Sequence, residues 1–165
     1  MANDELHLYK TNFWTNVHNC HIKLENVTAK DSSGNIIALN NLMSDREQLL
    51  VCRFSELNCE SCVNASIRSV QRWVDSVGKE NILFFGTYRS NKIFNKTKPQ
   101  YNIQELNVYN ISPLNIPAEE LGYPYYFVLN SDLTVSNLFV PDKSIPAITD
   151  SYLKAIHERY FATKK

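Results

Sequence analysis

The sequence predicts an α/β protein built on a mixed sheet with helices packed against it, and three observations carry that expectation. The first is the run Leu49-Leu50-Val51-Cys52-Arg53-Phe54, apolar at all but one position, which reads as a buried strand. It passes through Ser55-Glu56-Leu57-Asn58 into Cys59-Glu60-Ser61-Cys62, where a helical pattern over residues 60–78 begins. Val63, Ile67, Val70, Val74 and Val77 recur there at spacings of four and three, with Gly78 placed as a C-cap. The second observation is another apolar run, Asn81–Tyr88 with Ile82-Leu83-Phe84-Phe85 at its centre. Strand, helix and strand thus follow at the length of a right-handed parallel unit. The third lies near the other end. Tyr125–Leu129 and Thr134–Val140 flank the turn Asn130-Ser131-Asp132 as an antiparallel hairpin, and residues 145–161 carry Ile148, Tyr152, Ile156 and Tyr160 on one helical face.

Composition narrows the function classes. At 165 residues the chain has the length of one domain, expected over 1–165. Lys+Arg 17 against Asp+Glu 17 leaves no net charge, which argues against nucleic acid or an anionic membrane surface as a partner. The apolar runs are too short for a transmembrane segment, and Met1–Glu5 has neither the basic nor the apolar region of a signal peptide. Cys 4 is too few for a disulfide scaffold, whereas a single Cys-x-x-Cys points to redox or metal chemistry. Cys52, inside the strand, reads as a small buried hydrophobe, while Cys20 is free or paired.

The remaining elements follow in order. The first dozen or so residues look polar and loosely patterned, with Leu6, Leu8, Phe13 and Trp14 as docking points. Ile22–Val27 alternates as a half-buried strand, Asp31–Asn35 makes a turn, and Ile36–Leu39 returns as a second strand. Asn40–Gln48 is a polar connection. A short irregular helix is expected within Ser90–Gln104, a strand at Leu106–Ile111, and a brief helix at Ile116–Gly122 with Pro at its start and Gly at its end. His157 falls on the polar side of the last helix and reads as a solvated residue.

The placement of the cysteines has a chemical consequence. At a helix start, free N–H groups and the positive end of the dipole favour an anion, so a first-turn thiol ionises more readily than a free one. A zinc site is the rival reading, with Cys59, Cys62, Cys20 and either His18 or His21 as ligands, but the spacing is not that of a zinc module. Covalent haem is disfavoured because Val63, not His, follows Cys62, and no Pro-x-x-x-Thr-x-x-Cys peroxidase pattern precedes Cys59.

Taken together the chain resembles the thioredoxin-like superfamily, and within it the TlpA/ResA-type thiol–disulfide oxidoreductases. Three stretches carry the resemblance: Gly34–Leu42 as the Gly-x-x-Val-x-Leu-x-x-Leu entry, Cys59-Glu60-Ser61-Cys62 as the redox motif, and Pro124 before Tyr125–Asn130 as the cis-proline strand. The resemblance covers a core at about 22–161, with 1–16 as an N-terminal extension, and implies a three-layer fold with an N-terminal β-hairpin extension and an inserted helix and strand. It implies Cys59 as nucleophile and Cys62 as resolver, a cis Pro124 facing the pair, and Tyr123 with Pro124 contacting substrate. It further implies protein thiols and disulfides plus a redox partner as partners, no cofactor beyond the dithiol, and a bacterial extracytoplasmic setting with any targeting segment removed. Glu60, Ser61, Arg53 and Asn58 surround the pair as tuning residues. The chain departs from the pattern at Asn58, where the family has Trp, at Ala65, where it has Glu, and at Ile67, where it has Pro. Arg53 stands where thioredoxin has a buried acid, so the proton-handling carboxylate is missing from its usual positions. For Arg53 two readings stand: it points at the pair and favours the thiolate, or it snorkels to solvent. The alternative function is a thioredoxin-fold binding module whose cysteines are structural or vestigial.

Overall fold

A computed structural model describes residues 2–163; Met1, Lys164 and Lys165 of the expected 1–165 span lie outside the described residues. The chain opens with α1 (Ala2–Asn19), then the strands β1 (Thr28–Lys30) and β2 (Ile36–Ala38), the short α2 (Leu39–Met43) and the motif strand β3 (Gln48–Ser55). There follow α3 (Glu60–Gln71), α4 (Val74–Val77), β4 (Ile82–Thr87), α5 (Asn91–Thr97) and β5 (Val108–Ile111). A 3-10 segment, Pro117–Leu121, leads to β6 (Tyr125–Asn130), β7 (Val135–Phe139) and α6 (Pro146–Ile156). The strands form one open mixed sheet in the order β2-β1-β5-β4-β3-β6-β7. β3, β4 and β5 run parallel, and β6 and β7 are antiparallel to the strands beside them.

The period-two alternation of β3 divides the core. Leu50, Cys52 and Phe54 face the layer built from Val63, Ile67 and Val70 of α3 and Ile148, Leu153 and Ile156 of α6. Leu49 and Val51 face the opposite layer, with Leu39 and Met43 of α2, Leu83, Phe85, Phe127 and Ala118. Both faces of the strand are covered, which explains why its sequence is an apolar run and not an alternation. Gly86 of β4 permits close packing above it, since a Cβ there would come within 2.6 Å of the Phe94 ring. The expected α/β three-layer fold is thus present, with the β1–β2 hairpin and the inserted α5 and β5.

Several boundaries differ from the expectation. The helix expected at 60–78 is broken: Trp73 N–H bonds the carbonyl of Val70 in a tight turn, and α4 resumes at Val74. His157 is half-buried against the Trp73 ring, 5.8 Å between centroids, and is not the solvated residue expected. Residues 22–27 do not form the first hairpin strand. They run beside the start of β7 through a single bridge, Lys23 to Thr134, and Asn26 turns the chain at φ 58° before β1 begins at Thr28.

The largest departure is the N-terminus. The described residues of the loosely patterned extension expected at 1–16 lie in an 18-residue helix, α1 (Ala2–Asn19), and the face it buries is mainly polar: Asn12, Thr15 and Asn19 with Leu8. Asn12 donates to the carbonyl of Val140 at 3.0 Å and accepts from its N–H at 2.6 Å, and Asn16 accepts from the N–H of Leu138 at 2.8 Å. The helix covers the open edge of β7 and its asparagines complete the unpaired backbone groups there. Apart from Leu8, its large apolar residues point the other way, with Leu6, Tyr9, Phe13, Trp14 and Val17 all exposed.

Candidate active site

Topology gathers three segments at the C-terminal end of β3. Ser55–Cys62 leaves β3 there directly. Because β6 is antiparallel to β3, with Arg53 opposite Tyr125, the Tyr123–Pro124 loop enters at the same end. β7 returns with Phe139 opposite Tyr126, so Pro141–Ser144 is the third segment. Asn58 joins the first two. Its side-chain oxygen accepts from Ser55 N–H at 2.9 Å, and its amide donates to the carbonyl of Gly122 at 2.9 Å. Asn58 thus caps the loop, and Ser55 likewise accepts from Leu57 N–H at 3.2 Å.

Cys59 is the N-cap of α3 and exposed, while Cys62, in the first turn, is half-buried; both are free thiols. The Cys59 thiol is lowered to about 6, mainly by its hydrogen bond with the Cys62 side chain, then by Ser61, by the Cys62 backbone N–H, and by the charge of Lys143. Cys62 moves the other way, raised by burial and by the neighbouring Cys59. Ser61 Oγ lies 3.1 Å from Cys59 Sγ, and Lys143 Nζ donates to Ser61 Oγ at 2.6 Å. Glu60 is exposed in the first turn of α3. A cleft of about 690 Å³ opens beside the pair between α1, α3 and the β7–α6 loop, with Ser61, Cys62, Arg68, Tyr123, Pro141 and Lys143 among its walls.

Arg53 follows neither of its two expected courses. It alternates with Cys52 and Phe54, which face α3, so its side chain lies on the opposite face of the sheet from the cysteines. It is 2% exposed, and its guanidinium donates to both carboxylate oxygens of Glu119, with Nη2 at 2.9 and 3.1 Å and Nε at 3.1 Å. Glu119 also accepts from Leu114 N–H at 3.1 Å. This fork ties β3 to the segment that runs into the Tyr123–Pro124 loop, so Arg53 positions the loop and does not tune the thiols. The peptide bond before Pro124 is trans, against the expected cis, and Pro124 is buried. Tyr123, 56% exposed, is therefore the member of this loop that can meet a substrate.

The other cysteines stand apart. Cys52 is fully buried, and burial pushes its thiol far up, as a small core hydrophobe should behave. Cys20 follows the end of α1, its thiol against the carbonyl of Val17 at 3.5 Å. Among the described residues no three of His, Cys, Asp and Glu come together as a metal cluster, so the set imagined for zinc is not assembled.

Lys143 and Glu119 escaped the sequence reading. A hairpin order of β6 and β7 already places Pro141–Ser144 at the motif end, which was the available signal for Lys143. An arginine inside an apolar strand demands a buried counter-charge, which was the signal for an acid such as Glu119.

No protein-family model matches the chain, and no curated protein matches it in sequence. Solved structures do match in fold. A thiol:disulfide interchange protein from Bacteroides sp. superimposes with TM-score 0.60 at 12% identity, over 90% of this chain and 95% of that one. The thioredoxin domain of a thiol-disulfide oxidoreductase from Bacteroides vulgatus gives 0.55 at 12% identity, over 81% and 97%. The peroxidoxin BcpB from Mycobacterium tuberculosis gives 0.55 at 13% identity, over 84% and 99%. The fold is thioredoxin-like. Identities this low establish the fold alone, and the fold hosts both disulfide exchange and a peroxidoxin, so the chemistry rests on the site.

Proposed function

We propose that this chain is a thiol–disulfide oxidoreductase that exchanges disulfides with protein substrates through Cys59 and Cys62. The carrying observation is the split between the two thiols: an exposed Cys59 lowered to about 6 beside a half-buried Cys62 shifted upward. That is the division of labour between an attacking and a resolving sulfur. In the reducing direction the Cys59 thiolate attacks one sulfur of a substrate disulfide, and the substrate's other sulfur leaves with the electron pair. Cys62, deprotonated in turn, attacks Cys59 Sγ and releases the second substrate sulfur. Two electrons pass to the substrate and the protein is left as the disulfide. Tyr123 and the adjoining cleft offer the surface for substrate backbone, with Pro124 shaping the loop beneath it.

The dithiol is itself the redox centre, so the proposal invokes no cofactor. Its partners are protein thiols and disulfides and one further redox protein. An extracytoplasmic setting belongs to the proposal on the strength of the resemblance; no described helix is long and apolar enough to cross a membrane. A second reading, a binding module with a vestigial pair, is favoured by the exposed Tyr123 and by the apolar face of α1. An equilibrium titration in dithiothreitol redox buffers separates the two, with thiols trapped by alkylation and mapped by mass spectrometry. A reversible two-electron couple confined to Cys59 and Cys62 is the expected result. A pair that forms no disulfide at any poise, or that resists mild reductant, leaves the binding module as the better account.

A further inference from the structure

We propose that Lys143, acting through Ser61, adds to the hold of Cys62 on the Cys59 thiolate and so favours the reduced pair: the oxidised chain passes its disulfide to protein dithiols. This rests on the reading of Cys59 and Cys62 as an exchange pair and adds a direction and a positioning residue to it.

The polarity of the contact carries the inference. A lysine ammonium is a donor only, so at 2.6 Å Ser61 Oγ must accept from Lys143 Nζ. The single hydroxyl proton of Ser61 is then free to point at Cys59 Sγ, 3.1 Å away. A thiolate is the better acceptor of that proton, and the adjoining ammonium strengthens the bond. Other charged and titratable groups also face the pair or its cleft: Glu60 and Arg68 on α3, Arg72 at its C-cap, Tyr123 from the loop before β6, and His7 and Asp4 of α1. Asp142, next to Lys143, is occupied by the N–H and hydroxyl of Ser144 at 2.8 and 2.5 Å. The positions of the missing family carboxylates, Ala65 and Arg53, offer no acid.

The disulfide form carries no charge for this arrangement to hold. Lys143 and Ser61 therefore stabilise only the reduced pair, which is how a dithiol becomes an oxidant. In the step that follows, a substrate thiolate attacks the exposed Cys59 Sγ. The Cys59–Cys62 bond breaks, a mixed disulfide forms, and Cys62 leaves with the electron pair and takes a proton from solvent. A second substrate thiolate attacks the substrate sulfur, and Cys59 leaves as the thiolate under Ser61. The substrate loses two electrons and two protons; the pair gains the electrons, Cys62 keeps one proton and solvent takes the other. Repeated turnover needs an external disulfide, supplied in the test as glutathione disulfide.

The test compares the full chain with Lys143→Met, Lys143→Arg and Ser61→Ala. Each is equilibrated in millimolar glutathione buffers, and its iodoacetamide alkylation rate is followed from pH 5 to 9. The unmodified pair should be substantially reduced in these buffers. Lys143→Met and Ser61→Ala should shift the equilibrium about two- to fivefold toward the disulfide, the weight of one exposed charge contact, and move the alkylation midpoint upward. Lys143→Arg should restore both. Lys143 is exposed, so its variants should melt with the wild type. A Lys143→Met protein that matches the wild type in equilibrium and midpoint overturns the role of Lys143. A wild-type pair reduced by dithiothreitol but not by glutathione overturns the direction while leaving the exchange function intact. A pair that never forms a disulfide removes the exchange function itself.

Discussion

Helices α1 and α3 both pack on the sheet, yet the buried face of α1 is mainly polar and that of α3 mainly apolar. α3 buries Val63, Ile67 and Val70 along with Ser66 and Ser69, whereas α1 buries Asn12, Thr15 and Asn19 along with Leu8 and turns Leu6, Tyr9, Phe13, Trp14 and Val17 outward. The difference follows from what each helix lies upon. α3 covers a sheet face, where the backbone hydrogen bonds are already made and the projecting side chains are mainly apolar, the hydroxyl of Tyr126 donating to the Ser66 carbonyl at 2.7 Å. α1 covers the edge strand β7, where the N–H of Leu138 and both polar groups of Val140 need partners. Apolar periodicity finds helices of the first kind and is blind to the second. The start of α3 also carries Cys59 and Cys62, while the described residues of α1 include no cysteine.

Substitutions can test this contrast, beginning with the largest effect. Cys59→Ser should abolish disulfide exchange in an insulin-reduction or glutathione assay while leaving the fold intact, because the nucleophile is exposed and unburdened by packing. In the wild type, alkylation of Cys59 should reach half its maximum near pH 6. The sign follows from a folded value below the thiol's ordinary 9.0: the favourable ionisation is present at high pH and lost as pH falls through about 6. A midpoint near the ordinary thiol range would contradict the geometry at Cys62 and Ser61.

Ile67→Ala on the buried face of α3 should cost about 2–5 kcal/mol in urea unfolding, the loss of a packed side chain plus the cavity left behind. Glu119→Ala strands the Arg53 guanidinium, which is 2% exposed, without its counter-charge. A loss of about 3 kcal/mol is expected, with a displaced Tyr123 loop visible by NMR. Asn12→Ala on the buried face of α1 removes partners from Val140 and should cost about 1–3 kcal/mol, with faster amide exchange at Leu138 and Val140. Asn12→Leu should do no better than Asn12→Ala, since the face requires hydrogen bonds and not hydrophobicity. Least affected should be Phe13→Ser on the exposed face of α1, within about 0.5 kcal/mol of wild type. If Phe13→Ser destabilised as much as Ile67→Ala, the outward face of α1 would be buried in solution and the contrast would be wrong.

Residue order alone determined the strand–helix–strand unit around Cys59-Glu60-Ser61-Cys62, the hairpin of β6 and β7, and α6. Each is buried on one face or on both, which leaves a helical period or an unbroken apolar run in the sequence. The position of the cysteines at a strand end and helix start was legible for the same reason, as was Cys52 within an apolar run. The tertiary structure decided the rest. Arg53 could be sent toward or away from the thiols on paper, and only the register of β3 against β4 and β6 places it on the far face with Glu119, 66 residues away in the chain. Lys143 reaches Ser61 across 82 residues, and Asn12 reaches Val140 across 128. Contacts of that kind are polar, specific and non-local. A hydrogen bond between two distant side chains needs both ends brought within about 3 Å, and nothing in the local pattern at either end encodes that distance.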